Sequence, residues 1–271
     1  MSILQALVLG IVQGITEFLP VSSSGHLVLL QRIFGIQEPA LVFETAVHGG
    51  TLLAVFIVLR RDILEILRRI IQPLTFFLII ATIPTVIAVL AFRGLIEDLF
   101  QTGTFLGFAF LLTSCLLFLS ERLHKAPKIT ANQDIIRNKL TWRDALVIGL
   151  FQAIALIPGV SRSGATISGA LFRKIERNYA ARFSFLLSIP AILGALVLQM
   201  GEFINSVRSA EGSIGALPLI TGTVSACIVA FFSMHLLFRI IRKHSLRGFA
   251  LYTGALGLFV LVDQLLTGIF L

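Results

Sequence analysis

Two apolar regions, 3–31 and 143–172, are each broken near the middle by proline, glycine and hydroxyl residues, and they are copies of one another. The first break reads Leu19-Pro20-Val21-Ser22-Ser23-Ser24-Gly25, and the second reads Ile157-Pro158-Gly159-Val160-Ser161-Arg162-Ser163-Gly164. Proline removes a backbone donor and clashes with the preceding turn, so neither region runs through as one helix. The half-helices on either side are too short to cross a bilayer, which takes about 20 residues. Each region is therefore predicted to enter, turn and leave on the same side. Such backbone is tolerated at membrane depth only where protein or a wet cavity surrounds it. A shift of 139 residues lays 6–28 over 145–167 without a gap, and ten of the twenty-three positions are identical. Among them are Gly10/Gly149, Gln13/Gln152, Val21/Val160, Ser22/Ser161, Ser24/Ser163 and Gly25/Gly164.

The medium around these breaks is lipid. Charged residues make up 13% of the chain and hydrophobic residues 56%, whereas a soluble domain carries roughly 25% charged residues. Six further stretches are apolar enough to span a bilayer, at about 41–59, 74–92, 103–120, 183–200, 216–238 and 248–268. The expected fold is an all-α integral membrane protein. It consists of two inverted-topology repeats, each a re-entrant helical hairpin plus three transmembrane helices. Residues 1–271 then form one membrane domain, with repeat one at about 1–120, a polar cytoplasmic linker at about 121–142 and repeat two at about 143–271.

The net charge of +8 is carried in short clusters between apolar runs. This is the pattern of cytoplasmic loops, not of a nucleic-acid surface. Arg60, Arg61, Arg68 and Arg69 form one cluster. The linker with Lys125, Lys128, Arg137 and Lys139 forms another, and Arg239, Arg242, Lys243 and Arg247 a third. The loop around Glu97 and Asp98 is acidic. With the basic loops inside, three crossings per copy invert the second copy, and inverted repeats bring their broken elements together near the midplane. Cys115 and Cys227 lie in apolar runs and have neither disulfide nor metal spacing.

Chemistry concentrates at the two breaks. Gln13 and Glu17 are four apart and share a helix face. A carboxylate in an apolar run is costly and marks function by default. After Pro20 a new helix is expected with a serine N-cap, its free N–H groups facing an anion. Ser22 and Ser23 lie four and three residues before His26, so a hydroxyl beside an imidazole is one arrangement open to this tip. In the second copy Arg162 replaces Ser23, Ala165 replaces His26 and Leu156 replaces Glu17. Arginine offers a planar fork suited to phosphate, so Arg162 amid Ser161, Ser163, Gly164 and Thr166 is a candidate phosphate clamp. Glu44 and His48 share a face at one end of the first span. They are supporting candidates that could equally sit among lipid headgroups.

Gln-Gly-Ile-Thr-Glu-Phe-Leu-Pro-Val-Ser-Ser-Ser-Gly-His at 13–26 and Pro-Gly-Val-Ser-Arg-Ser-Gly-Ala-Thr-Ile at 158–167 resemble the two signature motifs of the undecaprenyl-diphosphatase, or bacitracin-resistance, family. The resemblance covers nearly the whole chain. It implies removal of the terminal phosphate from undecaprenyl diphosphate at the outer face of the bacterial cytoplasmic membrane. That reaction recycles the carrier for cell-wall synthesis and confers bacitracin resistance. It also implies a divalent cation, Mg or Ca, with Glu17 as its protein ligand if any. A polyprenyl diphosphate lipid is the expected partner, and a homodimer is left open. On this reading Arg162 and the N–H groups at 161–164 hold the phosphate. Ser23 is the first choice of nucleophile with His26 beside it, and a phosphohistidine on His26 is the alternative. Glu17 serves as base, orients His26 or holds the metal. Gln13, Ser22, Ser24, Ser161, Ser163 and Thr166 donate hydrogen bonds. A transporter built on the same cleft is the competing function.

Overall fold

The computed structural model describes residues 1–36, 41–103, 105–124, 140–209 and 214–268. Eleven α-helices and one π-helical turn, and no strands, occur among them. The linker cluster Lys125, Lys128, Arg137 and Lys139 lies outside the described residues, as does the side chain of Glu97.

Both broken regions are hairpins of two short helices. In the first, α1 (Ile3–Thr16) is followed by α2 (Ser23–Ile33). In the second, α7 (Trp142–Ile154) is followed by α8 (Arg162–Phe172). The bounds of α2 and α8 differ by the same 139 residues as the sequence match. The caps obey that offset too. Ser2 and Gln5 form a capping box on α1, and Thr141 and Asp144 form one on α7. Ser22 caps α2 and Ser161 caps α8, each accepting a backbone N–H with its hydroxyl. Each cap satisfies donors that the first helical turn leaves without partners.

The first hairpin is followed by α3 (Leu41–Val58), the short α4 (Arg60–Arg68), α5 (Pro73–Thr102) and α6 (Leu106–Leu123), and the second by α9 (Arg177–Ser209), α10 (Ala216–Lys243) and α11 (Arg247–Val262). Five of these are long and apolar enough to cross a membrane, and α3 with α4 makes a sixth candidate bent by 77°. Large apolar side chains such as Leu90, 76% exposed, and Leu251, 72% exposed, face outward, as lipid-facing helices require.

Two sequence expectations are corrected. The acidic loop around Glu97 and Asp98 is helical: α5 continues past a local distortion at Phe92 and stops only at Gly103, which adopts φ 64°. Most of the intervening residues, Ala91, Leu95 and Leu99 among them, are helix formers that carry the helix through Gly94, and Gly103 supplies the left-handed C-cap. The basic loop at 60–69 is likewise mostly helix α4.

The hairpins pack on helices of the opposite half: α1 lies along α10, and α7 lies along α5. The approach is close enough to require glycine. A Cβ on Gly10 would strike Gly222 and Ser225 of α10, and one on Gly149 would strike the backbone of Ala81 in α5. Small residues that let backbones meet are the usual basis of helix association in lipid. Helices α6 and α11 pack on each other, and α6 also supports α8. The main core surrounds the inner ends of the hairpins and includes Phe18, Val55, Ile148, Ile167, Phe183 and Leu187.

Candidate active site

Glu17 is the first residue past α1, and its carboxylate is turned inward by its neighbour. Phe18 is fully buried and meets Phe185 edge-on at 5.1 Å. The Glu17 side chain, 4% exposed, forms an ion pair with Arg162, which opens α8 on the other hairpin. Arg162 reaches Oε1 through its Nη2. The second carboxylate oxygen, Oε2, accepts from Ser23 Oγ at 2.6 Å and from Gln13 Nε2 at 3.0 Å. His48 Nε2 of α3 stands 3.7 Å from the same oxygen. Four side chains from four separate helices thus converge on one buried carboxylate. A buried charge is costly unless paired and hydrogen-bonded, and here Arg162 supplies the opposite charge.

The hub is not saturated. Among the described residues, Arg162 Nη1 and Gln13 Oε1 are buried and have no hydrogen-bond partner. Buried polar groups are nearly always satisfied, so an unsatisfied pair beside a carboxylate and a serine marks a place for a ligand. One is a cationic donor and the other a neutral acceptor.

The two hairpin tips are also stitched together. Ser24 Oγ accepts from the Gly159 N–H at 3.3 Å, and Ser163 Oγ donates to the Leu19 carbonyl at 3.2 Å. Gly159 adopts φ 89°, which glycine takes without strain. Ser161 N–H donates to Thr113 Oγ1 at 3.0 Å, and Gly164 N–H donates to Ser161 Oγ at 3.0 Å. Thr166 bonds the Arg162 carbonyl at 2.8 Å and Ser184 at 2.6 Å. The hydroxyls of Ser22, Ser24, Ser161, Ser163 and Thr166 therefore hold the breaks in shape. The backbone donors of Ser161 and Gly164, expected to bind phosphate, are engaged by Thr113 and Ser161. Helix capping claims them first, which leaves the α8 N-terminal donors at Arg162 and Ser163 for an anion.

The expected pairing of Ser23 with His26 is not formed. His26 Nδ1 lies 2.6 Å from the Ser22 carbonyl, and Nε2 lies 2.7 Å from the Tyr252 hydroxyl. Ser23 turns instead to Glu17. His48, left open between headgroups and a supporting role, is drawn inward to Glu17, while Glu44 accepts from Gln31 at 2.9 Å. Tyr252, Thr113 and Ser184 were missed. Only Tyr252 carried a signal, as one of two tyrosines in the chain and a hydroxyl set in an apolar span.

Beside the first tip lies a groove of about 670 Å³, lined by Ile15, Leu19, Val21 and Phe249, with His26 and Tyr252 among its polar residues. Among the described residues, no group of three or more His, Cys, Asp or Glu side chains could hold a metal ion. Glu17 and the unpartnered Gln13 Oε1 still offer oxygens of the hard type that Mg and Ca take. Such cations commonly complete their shell with substrate phosphates and water.

Comparison with known proteins gives the family. The family model described as bacitracin resistance protein BacA matches residues 6–259. A protein of Carboxydothermus hydrogenoformans named undecaprenyl-diphosphatase is 44% identical over 264 residues, 97% of this chain and 98% of the relative. One of Bacillus cereus named undecaprenyl-diphosphatase 3 is 40% identical over the same shares. One of Alkaliphilus metalliredigens named undecaprenyl-diphosphatase is 37% identical over 98% of this chain and 100% of the relative. On a match that takes in both chain breaks and nearly the whole chain, the chain belongs to the bacitracin-resistance (BacA) family.

Proposed function

We propose that the chain hydrolyses undecaprenyl diphosphate to undecaprenyl phosphate and inorganic phosphate in the bacterial cytoplasmic membrane, at a site that opens to the outer face. The observation that carries this reading is the Glu17 hub, where one carboxylate holds both a serine hydroxyl and an arginine with a free donor. The names of relatives that match nearly the full chain support the same activity.

The architecture is a pair of inverted repeats, with α1–α6 as one copy and α7–α11 as the other. The shared 139-residue offset of hairpin bounds and caps supports it. So does the exchange of partners, with Gly10 meeting α10 and Gly149 meeting the equivalent α5. The arginines of α4 and the basic end of α10 lie on the cytoplasmic side by the positive-inside rule. The first hairpin then enters from outside.

The diphosphate head enters between the two tips and the prenyl chain stays in lipid or in the apolar groove. Arg162 swings its fork onto the terminal phosphate, joined by the N-terminal amides of α8. This releases Glu17 from its arginine partner beside the Ser23 hydroxyl. Ser23 Oγ attacks the terminal phosphorus, its proton passes to Glu17, and the bridging P–O bond breaks to release undecaprenyl phosphate. Water then attacks the phosphoserine, the Ser23 Oγ–P bond breaks as Glu17 returns its proton to Ser23, and inorganic phosphate leaves. Positioning and charge neutralisation supply most of the acceleration in phosphoryl transfer. A divalent cation, Mg or Ca, would be held by Glu17 and Gln13 Oε1 with the diphosphate, and would neutralise part of its charge. The chemical difference between the hairpins separates this reading from a transporter, which has no need of a serine poised on a carboxylate.

The test is phosphate release from undecaprenyl diphosphate by the purified protein in detergent, beside Arg162→Ala and Ser23→Ala. Release well above both variants is expected. No release from the wild type, with translocation of labelled lipid in vesicles, would make the protein a transporter.

A further inference from the structure

His26 is held on three sides by groups the mechanism has not used. The Ser22 carbonyl accepts from the His26 backbone N–H at 3.3 Å and lies 2.6 Å from Nδ1. A carbonyl can only accept, so Nδ1 carries a proton. The other nitrogen, Nε2, faces the Tyr252 hydroxyl at 2.7 Å. In the neutral ring Nε2 is a bare lone pair, and Tyr252 is the donor. The two rings lie nearly parallel, 14° apart with centroids separated by 5.7 Å. Phe110 meets the other side of His26 edge-on at 5.5 Å.

What the imidazole holds is a strained turn. Ser22 has φ 73°, in a region that only glycine enters freely. Such a conformation persists when its surroundings over-determine it. The equivalent Ser161 of the second hairpin has φ −69°, and Ala165 stands where His26 would be. The strained form therefore accompanies the imidazole. Ser22 immediately precedes Ser23, whose hydroxyl must sit 2.6 Å from Glu17.

We infer that Tyr252 is a positioning residue for the reaction. By donating to Nε2 it fixes the tautomer that places Nδ1–H on the Ser22 carbonyl. It thereby holds the turn that presents Ser23 to Glu17. A phosphohistidine route is disfavoured by the same geometry, because both ring nitrogens are engaged. The kinetic part of this inference rests on the phosphatase reading; the structural link from Tyr252 through His26 to Ser22 does not.

The experiment compares wild type, Tyr252→Phe, His26→Gln and the double variant, with folding checked by thermal unfolding. Tyr252→Phe keeps the stacked ring and removes only the hydroxyl. It should lower kcat about five- to tenfold, the worth of roughly one hydrogen bond, and leave KM within about twofold. The double variant should be no slower than His26→Gln alone, since residues that act through one another are non-additive. Additive losses, or an effect carried by KM, would make Tyr252 a lipid contact and overturn the inference. A second readout needs no activity: ¹⁵N-histidine spectra at about pH 8.5, where an ordinary imidazole is neutral, with the His26 signals identified by their loss in His26→Gln. Tyr252→Phe should abolish the dominance of the Nδ1–H tautomer, and unchanged His26 signals would refute the link. If wild type released no phosphate, the phosphatase reading would fall, and the spectra alone would decide the role of Tyr252.

Discussion

Replacing Glu17 by glutamine keeps the side chain's shape and removes its charge, so it isolates what the carboxylate does. In the native hub Glu17 accepts from Arg162, Ser23 and Gln13. A glutamine at 17 has one oxygen for these donors, and its amide would face donors on the other side. Gln13 can adapt by flipping, because its Oε1 has no partner among the described residues. Ser23 can turn its hydroxyl. Arg162 cannot adapt: it only donates, and its side chain is 19% exposed. Removing one partner of a buried pair costs about 3–5 kcal/mol. Partial exposure of Arg162 and the freedom of Gln13 bring the expected loss of stability to about 2–3 kcal/mol. The kinetic loss should be larger, because in the proposed mechanism Glu17 takes the Ser23 proton, and general-base removal typically costs 10²- to 10⁴-fold. Thermal unfolding in detergent and initial rates of phosphate release measure the two effects on one preparation. A Glu17→Gln protein that turns over at the wild-type rate, or unfolds at an unchanged temperature, would refute the hub.

Ser23→Ala removes one hydrogen bond from Glu17 and no charge. Phosphate release should fall by at least about a hundredfold while the unfolding temperature barely moves, as single-turnover assays and unfolding scans can establish. Gly149→Ala drives a methyl into the Ala81 backbone and should cost about 3 kcal/mol or prevent folding. Gly49→Ala, where no neighbour lies within 4 Å, should stabilise the helix by roughly 0.5–1 kcal/mol. Size-exclusion profiles and unfolding temperatures separate these two glycines. Chelation should suppress phosphate release and added Mg or Ca restore it; full activity in chelator would remove the cation from the mechanism.

The hairpins were legible in the sequence because their punctuation is chemical. Proline, glycine and serine caps act locally, and they fix α2 and α8 at the same offset as the identities. The meeting of the Glu17 tip with the Arg162 tip was legible because inverted repeats bring their broken elements together, but the direct ion pair between them was not, since Arg162 was read as a phosphate clamp. The sequence misled where two local partners competed for one group. Ser22 and His26 are four apart, and the spacing suggests a hydroxyl meeting an imidazole. In the first turn of a helix the backbone carbonyl of the capping residue sits at that position, and side chains lean back toward it. The carbonyl therefore takes Nδ1. Tyr252 lies 226 residues away, beyond any local pattern. His48 sits in a helix with little apolar asymmetry, so nothing in its spacing told which way it would face.

The hub also shows why the two copies had to diverge. Ser23 and Arg162 are equivalent residues, each the first of its helix, and each donates to a different oxygen of Glu17. Glu17 therefore reads the same position of both hairpins at once. Had both copies kept a glutamate, two like charges would share one buried pocket, and one would have to stay protonated. Had both carried arginine, no hydroxyl would face the carboxylate. With Leu156 opposite Glu17 in the alignment and Arg162 opposite Ser23, the resting site carries one charge of each sign, and the Arg162 donor that has no protein partner is left for an anion. An anionic head competes with Glu17 for the guanidinium, and it does so beside the hydroxyl that must lose its proton. On the proposed mechanism, substrate binding and activation of Ser23 are thus one electrostatic event, made possible by unlike residues at like positions.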